Sequence, residues 1–347
     1  MSAIRQTGLS ALRSKPVARS VVAQVFLPAV SQVSKPAGPS GQPGRLGSGP
    51  SPADRNVYAT FYRQVTCPLV EPSKFRRWQF APNAVSSGVR SIDVLLVPAE
   101  FQRLPERDLS RTVCVVFDVL RATSTMLEAF AQGAAAIRPA VDIPEALAWH
   151  HEWPDALLAG EREGLRIGPE LTGGIAFDLG NSPREFTPER VRNRRILMTT
   201  SNGTRALRAC QGASAIWIAS FGNLAAVADQ ILRCQPEELI LVCSGTLESL
   251  AYEDVLGAGA LIDRLGSDLD GVRVNDSAHL VRHAFQAGQS NLLAALSASR
   301  NGRRLLGLPE LAADVPICLS PDRFDFVPEM DSLGVIRRQG LPAVTPA

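Results

Sequence analysis

The sequence predicts an α/β fold: a mixed, largely parallel sheet with flanking helices. Three observations predict it. From Ile92 onward, apolar runs of strand length alternate with stretches of helical length and pattern. The runs are nearly uninterrupted, as in TVCVVFDVL, which is the signature of strands buried on both faces. Aromatic residues are only 6% of the chain, which disfavours an aromatic-rich sandwich.

The elements follow in order. Residues 91–97 form a first strand and 112–120 a second. Residues 123–134 read as a helix opened by hydroxyl residues suited to its N-terminus. A short strand at 135–140 precedes a helix at 143–153, which has Pro144 in its first turn. Strands are expected at 156–160 and 194–200, then a helix at 203–212 and a strand at 214–220. A helix at 223–234, a strand at 238–245 and a helix at 252–265 follow, and residues 276–308 are mostly helical. There is also a weak internal repeat at an ungapped offset of 79 residues. It aligns Thr125 with Thr204, Gln132-Gly133-Ala134 with Gln211-Gly212-Ala213, and Ala136-Ile137 with Ala215-Ile216. Each copy reads strand, polar loop, helix, glycine stop, strand, so two similar subdomains or two convergent units are expected.

Charge divides the chain. Residues 1–84 hold 11 basic and 2 acidic side chains, leaving 25 and 32 in the remainder. Residues 1–89 are expected to be a disordered basic tail and 90–340 the catalytic domain. The same stretch also fits a targeting peptide, or upstream sequence translated from a misplaced start with Val85 or Val89 near the true one. Its composition favours a tail or a misplaced start. The acidic remainder is poorly suited to nucleic acid, and no apolar run reaches the ~20 residues of a membrane span. The expected setting is therefore cytoplasmic, without nucleic acid or membrane. The helical C-terminal third offers a surface for a homodimer. The six cysteines lack any Cys-x-x-Cys pair, which suits buried thiols in a reducing compartment.

Four polar segments lie at or beside strand ends, where open α/β sheets bind ligands. The first, Asp118 to Thr125, places an acid at a strand end, then Arg121 and the hydroxyls of Thr123, Ser124 and Thr125 at a helix N-terminus. Such a terminus favours an anion, and a guanidinium is suited to clamp phosphate or sulfonate. The alternative is a capped Asp turn. The second, Gly160-Glu161-Arg162, offers a hard oxygen donor or a surface ion pair. The third runs from Phe177 to Pro183 and holds Asp178, Asn181 and Ser182. The fourth, Thr199 to Arg205, joins a strand to a helix through Ser201, Asn202, Gly203 and Thr204. It is a second anion cradle or a capped Asn-Gly turn. Beside these, Cys243-Ser244-Gly245 ends a strand, and Glu253-Asp254 opens a helix. Acids and hydroxyls without a His or Cys cluster suit Mg²⁺ better than Zn²⁺.

In order, FDVLRATST, GER, FDLGNSP, TTSNGTRAL, CSG and EDVLGAG resemble the 2-phosphosulfolactate phosphatase family over about Ile92 to Arg337. The resemblance implies a family-specific α/β phosphatase fold and Mg²⁺-dependent hydrolysis of 2-phospho-3-sulfolactate to 3-sulfolactate and phosphate, a step toward coenzyme M. On that reading Asp118, Arg121 and Glu161 are catalytic. Mg²⁺ is held by some of Asp118, Glu161, Asp178 and Asp254. A small anionic phosphorylated substrate meets Thr123, Ser124, Thr125, Arg162, Asn181, Ser182, Ser201, Asn202, Gly203, Thr204 and Arg205. Ser201 stands where the family pattern has Thr, and Gly257 where it often has Cys, so no reactive thiol is expected there. Phosphatase action on another small phosphorylated acid, or a non-catalytic anion-binding module, are the other readings.

Overall fold

The structure is a computed structural model that describes residues 88–269 and 271–338. The expected tail, apart from Gly88 and Val89, lies outside the described residues. Among the described residues there are eleven strands: β1 (Ser91–Leu95), β2 (Thr112–Phe117), β3 (Ala136–Pro139), β4 (Leu157–Arg162), β5 (Leu165–Arg166), β6 (Arg195–Thr199), β7 (Ala215–Ala219), β8 (Glu238–Cys243), β9 (Arg273–Val274), β10 (Pro328–Met330) and β11 (Ile336–Arg338). They hydrogen-bond in the order β5-β4-β6-β3-β11-β10-β7-β2-β8-β1-β9. The pairs β1–β8, β1–β9, β2–β7, β2–β8, β3–β6 and β4–β6 are parallel, while β10 and β11 run antiparallel to their neighbours and β5 runs antiparallel to β4. The sheet is thus mixed and largely parallel, as expected.

Period-two alternation distributes the central strands between two apolar clusters, and β4 and β6 between the second of these and a third that holds Leu158 and Leu197. In β2, Val113, Val115 and Phe117 join one apolar cluster, and Cys114 and Val116 the other. The first cluster is closed by the helices Leu224–Cys234, Tyr252–Leu265 and Asp276–Gly288, through residues such as Val227, Leu261 and Val281. The second is closed by Ala122–Ala131 and Gly203–Ala209, through Met126, Phe130 and Leu207. Every residue of β2 is buried, which is why its sequence reads as one apolar run.

The two repeat copies pair crosswise. β2, which opens the first copy, lies beside β7, which closes the second; β6 and β3 pair in the same way. The β10–β11 hairpin sits between the two pairs. Four strands separate β2 from β6 in the sheet, yet the turn after β6 touches the turn after β2: a Cβ built on Gly203 would lie 2.8 Å from Ala122 Cβ. The turns after β2 and β6 therefore meet although four strands lie between them in the sheet order.

Candidate active site

After β2 the chain turns through Asp118 to Arg121 into the Ala122–Ala131 helix, and the Leu120–Arg121 peptide bond is cis. Local side chains hold this turn. Asp118 Oδ1 accepts the Ala122 N–H at 3.0 Å, so a carboxylate caps the positive end of the helix. Thr123 Oγ1 donates to the Asp118 carbonyl at 2.9 Å, and Ser124 Oγ to the Val119 carbonyl at 2.8 Å. Thr125 Oγ1 donates to the Asn181 carbonyl at 3.0 Å.

Three further carboxylates gather around Asp118. Strand β4 brings in Glu161, because Gly160 allows β4 to press against the Thr199 carbonyl of β6, where any Cβ would collide. Glu161 Oε1 accepts the Ser201 N–H and hydroxyl, both at 2.9 Å, and Oε2 accepts the Gly164 N–H at 2.7 Å. Asp254, in the first turn of the Tyr252–Leu265 helix, accepts Val119 N–H at 2.8 Å and Gly245 N–H at 3.1 Å. It therefore staples the turn after β2 to the turn after β8. Glu253 Oε1 accepts an amide hydrogen of Asn301, while its Oε2 is buried with no hydrogen-bond partner. Ser244 Oγ is a second buried oxygen without a partner.

Crowding of acids in low dielectric shifts their titration. Burial, aided by the Glu161 charge, pushes Asp118 up to about 6. Burial and the Asp118 charge push Glu253 up to about 7, and burial with both neighbouring charges raises Asp254 well above the carboxylate range.

Arg121 does not face outward. It is 3% exposed, and its guanidinium donates to Asp314 Oδ2 at 2.6 Å and to the Gly164 carbonyl at 2.7 Å. Asp314, fully buried, also accepts from Ser182 Oγ and from Arg184 Nε, each at 2.7 Å. This ion pair locks the C-terminal Asp314–Cys318 helix beneath the turn. The guanidinium expected to clamp an anion is thus held by Asp314 and by the Gly164 carbonyl.

The hydroxyls expected to meet substrate donate within the protein. A hydroxyl has one proton, and an anion needs it. Those of Thr123, Ser124 and Thr125 go to main-chain carbonyls, that of Thr204 to the Thr200 carbonyl, that of Ser182 to Asp314, and that of Ser201 to Glu161. Asn202 spans to the carbonyls of Ser244 and Leu247, both at 2.9 Å. These residues shape the site. Gly203 is in it by absence, since its missing side chain lets the backbone approach Asp118. Arg162 and Arg205 are half-buried; Arg162 bonds Thr199 Oγ1 at 3.0 Å, and Arg205 pairs with Glu248 at 3.5 Å. Asn181 is buried with its Oδ1 unpartnered.

Asp178 does not join the set. It is exposed, and its carboxylate accepts the Leu158 N–H at 2.8 Å, three residues before Glu161 on β4. Three strand residues span roughly 10 Å. Asp314 and Asn301 were not picked out in the sequence; each sits in a short helical stretch where local pattern gives no sign of its long-range partner.

A family model described as 2-phosphosulpholactate phosphatase matches residues 99–332. The chain belongs to this family. A probable 2-phosphosulfolactate phosphatase of Synechococcus sp. (strain JA-3-3Ab) is 42% identical over 229 residues, covering 65% of this chain and 91% of the relative. Another, of Synechococcus sp. (strain RCC307), is 38% identical over 241 residues, covering 68% and 95%. A third, of Caldanaerobacter subterraneus subsp. tengcongensis, is 34% identical over 241 residues with the same coverage. The chain is accordingly a phosphatase, and the matched span holds all the carboxylates described above. Among the described residues, no three of His, Cys, Asp and Glu are disposed to hold a metal ion by themselves. Mg²⁺ does not need three, because it usually keeps several waters and takes one or two carboxylates with substrate phosphate. The unpartnered Glu253 and Ser244 oxygens, in a neighbourhood of acids held above their ordinary pKa, fit a phosphatase that takes up such a cation. No helix among the described residues is long and apolar enough to cross a membrane.

Proposed function

We propose that this phosphatase hydrolyses the phosphate ester of 2-phospho-3-sulfolactate to 3-sulfolactate and phosphate, with Mg²⁺ as cofactor. One observation carries the reading. The turns after β2 and β6 converge so closely that a Cβ on Gly203 would lie 2.5 Å from Asp118 Oδ2, with Glu161 and Asp254 tied to the same turns. Asp118 would hold the cation, with water and substrate phosphate in the rest of its shell, and Glu161 and Asp254 would hold the turns that present it. When bound, it neutralises charge on phosphoryl oxygens and lowers the pKa of a water.

The chain's own residues do the rest. The Asp118 carboxylate holds the turn through the Ala122 amide. The N-terminus of the ten-residue Ala122–Ala131 helix adds a positive potential for the transferring group. Arg121, fixed by Asp314, contributes a permanent positive charge from below. Arg162 and Arg205 at the rim attract the sulfonate or carboxylate end of the substrate. This division supports a small polyanionic substrate over a polymer.

The test is phosphate release from a panel of small phosphorylated acids, with Mg²⁺ and with chelator. The reading expects 2-phospho-3-sulfolactate to be turned over fastest and chelator to abolish turnover. Faster turnover of a phosphorylated acid without a sulfonate would reassign the substrate, and undiminished turnover in chelator would remove the cation.

A further inference from the structure

Of the acids around Asp118, one differs from its neighbours in what its oxygens touch. Asp254 has both carboxylate oxygens on backbone amides, and Glu161 has both on Ser201 and Gly164. Glu253 has only one oxygen engaged. Its side chain is 1% exposed, and Oε2 has no hydrogen-bond partner. A buried carboxylate oxygen without a partner is costly and calls for a ligand.

Asn301 determines which oxygen is left over. Its Nδ2 carries two hydrogens. It bonds Glu253 Oε1 and also Thr246 Oγ1, the latter at 2.6 Å. Thr246 follows the Ser244-Gly245 turn at the end of β8, and the Gly245 amide is held by Asp254. Asn301 lies in the Arg300–Leu306 helix, so the C-terminal helical region reaches across and fixes the Glu253 carboxylate about its long axis. Ser244, whose N–H donates to the Phe117 carbonyl at 2.9 Å, has an unpartnered Oγ of its own next to the same turn. Glu253 and Ser244 thus each carry a buried, unpartnered oxygen, and both are tied to the turn after β8, Ser244 within it and Glu253 through Asn301 and Thr246.

We infer that Glu253, through Oε2, is a ligand of the divalent cation alongside Asp118, and that Asn301 is the positioning residue that aims it. The inference rests on the cation-dependent reading above and deepens it. Glu253 takes the place that the sequence pattern gave to Asp178. Two carboxylates and a water shell are what Mg²⁺ accepts, so the pair needs no third protein acid. Asn301 acts through Glu253 and touches neither cation nor substrate.

The experiment measures binding and needs no turnover. The full chain is titrated with Mn²⁺, free Mn²⁺ is read by EPR, and Mg²⁺ is used to compete. Wild type is expected to bind Mn²⁺ and release it to Mg²⁺. Glu253→Gln, which keeps shape and the Asn301 bond, should weaken binding by about a hundredfold, and Asn301→Ala by about tenfold. Asp178→Asn should bind as wild type. Melting without cation checks that each variant folds, and Asn301→Leu, similar in size but without the amide donor, gives a second variant at the same position that should also bind less tightly than wild type. Mn²⁺ binding by Glu253→Gln equal to wild type would overturn the inference alone. Absence of binding by wild type would overturn it together with the cation in the proposed function.

Discussion

Gly203 and Asp118 belong to different copies of the strand-to-helix repeat, and their turns meet so tightly that one methyl group would not fit between them. A Cβ on Gly203 would stand 2.5 Å from Asp118 Oδ2 and 2.8 Å from Ala122 Cβ. The contact explains why a glycine opens the second helix: residue 203 is pressed against an acid and another helix, and its φ is not in the left-handed region.

Gly203→Ala is therefore expected to displace the Asp118 carboxylate. Overpacking of this kind costs roughly 1–3 kcal/mol. Urea unfolding should show that loss, and phosphate release should fall at least about tenfold, since small misplacements at a reacting centre are expensive. Wild-type turnover in this variant would mean that the contact has no part in the reaction.

Asp314 is expected to matter more for stability than for any contact with substrate. It is fully buried and carries Arg121, Ser182 and Arg184. Asp314→Ala leaves the Arg121 guanidinium buried without its counter-charge and should cost about 3–5 kcal/mol. Ser182→Ala removes one hydrogen bond and should cost about 1–3 kcal/mol. Denaturant midpoints at a common slope measure both, and equal small losses would count against the ion pair as the keystone.

The acid cluster predicts a direction with pH. Asp118, Glu253 and Asp254 all titrate above their unfolded values of 3.8 for Asp and 4.5 for Glu. The folded state holds these protons longer, so their stabilising contribution is complete below about pH 4 and is lost as pH rises through about 6 to 7. A divalent cation offsets that loss by binding the ionised form. The rise in Tm caused by Mg²⁺ should be larger at pH 8 than at pH 5, as read by differential scanning calorimetry. An equal rise at both values would contradict a carboxylate-based cation site.

Asp178→Asn should leave turnover unchanged. The amide oxygen can still accept the Leu158 N–H, and the side chain is exposed. A hundredfold loss of phosphate release would return Asp178 to the reaction.

Much of this architecture can be read in the chain because burial on both faces writes strands such as β2 and β8 as unbroken apolar runs. The hairpin of β10 and β11 could not be read so, since each strand has three residues, too few to show a period. Within the site, the positions of Asp118, Glu161 and Asp254 were legible as acids at or beside strand ends. The acceptors of the hydroxyls within the protein were not. A Thr that caps its own turn and a Thr that grips an anion look alike in sequence, and the difference lies only in where the single proton of Thr123 or Thr125 points. Arg121 shows the same limit, because its partner Asp314 is 193 residues away.

The account stands on Asp118 as the acid at the reacting centre. Its most direct test is steady-state phosphate release from 2-phospho-3-sulfolactate by wild type and by Asp118→Asn, with Mg²⁺ saturating and folding checked by circular dichroism. The account predicts a fall in kcat of roughly a hundredfold or more. A folded Asp118→Asn enzyme with wild-type kcat would contradict it.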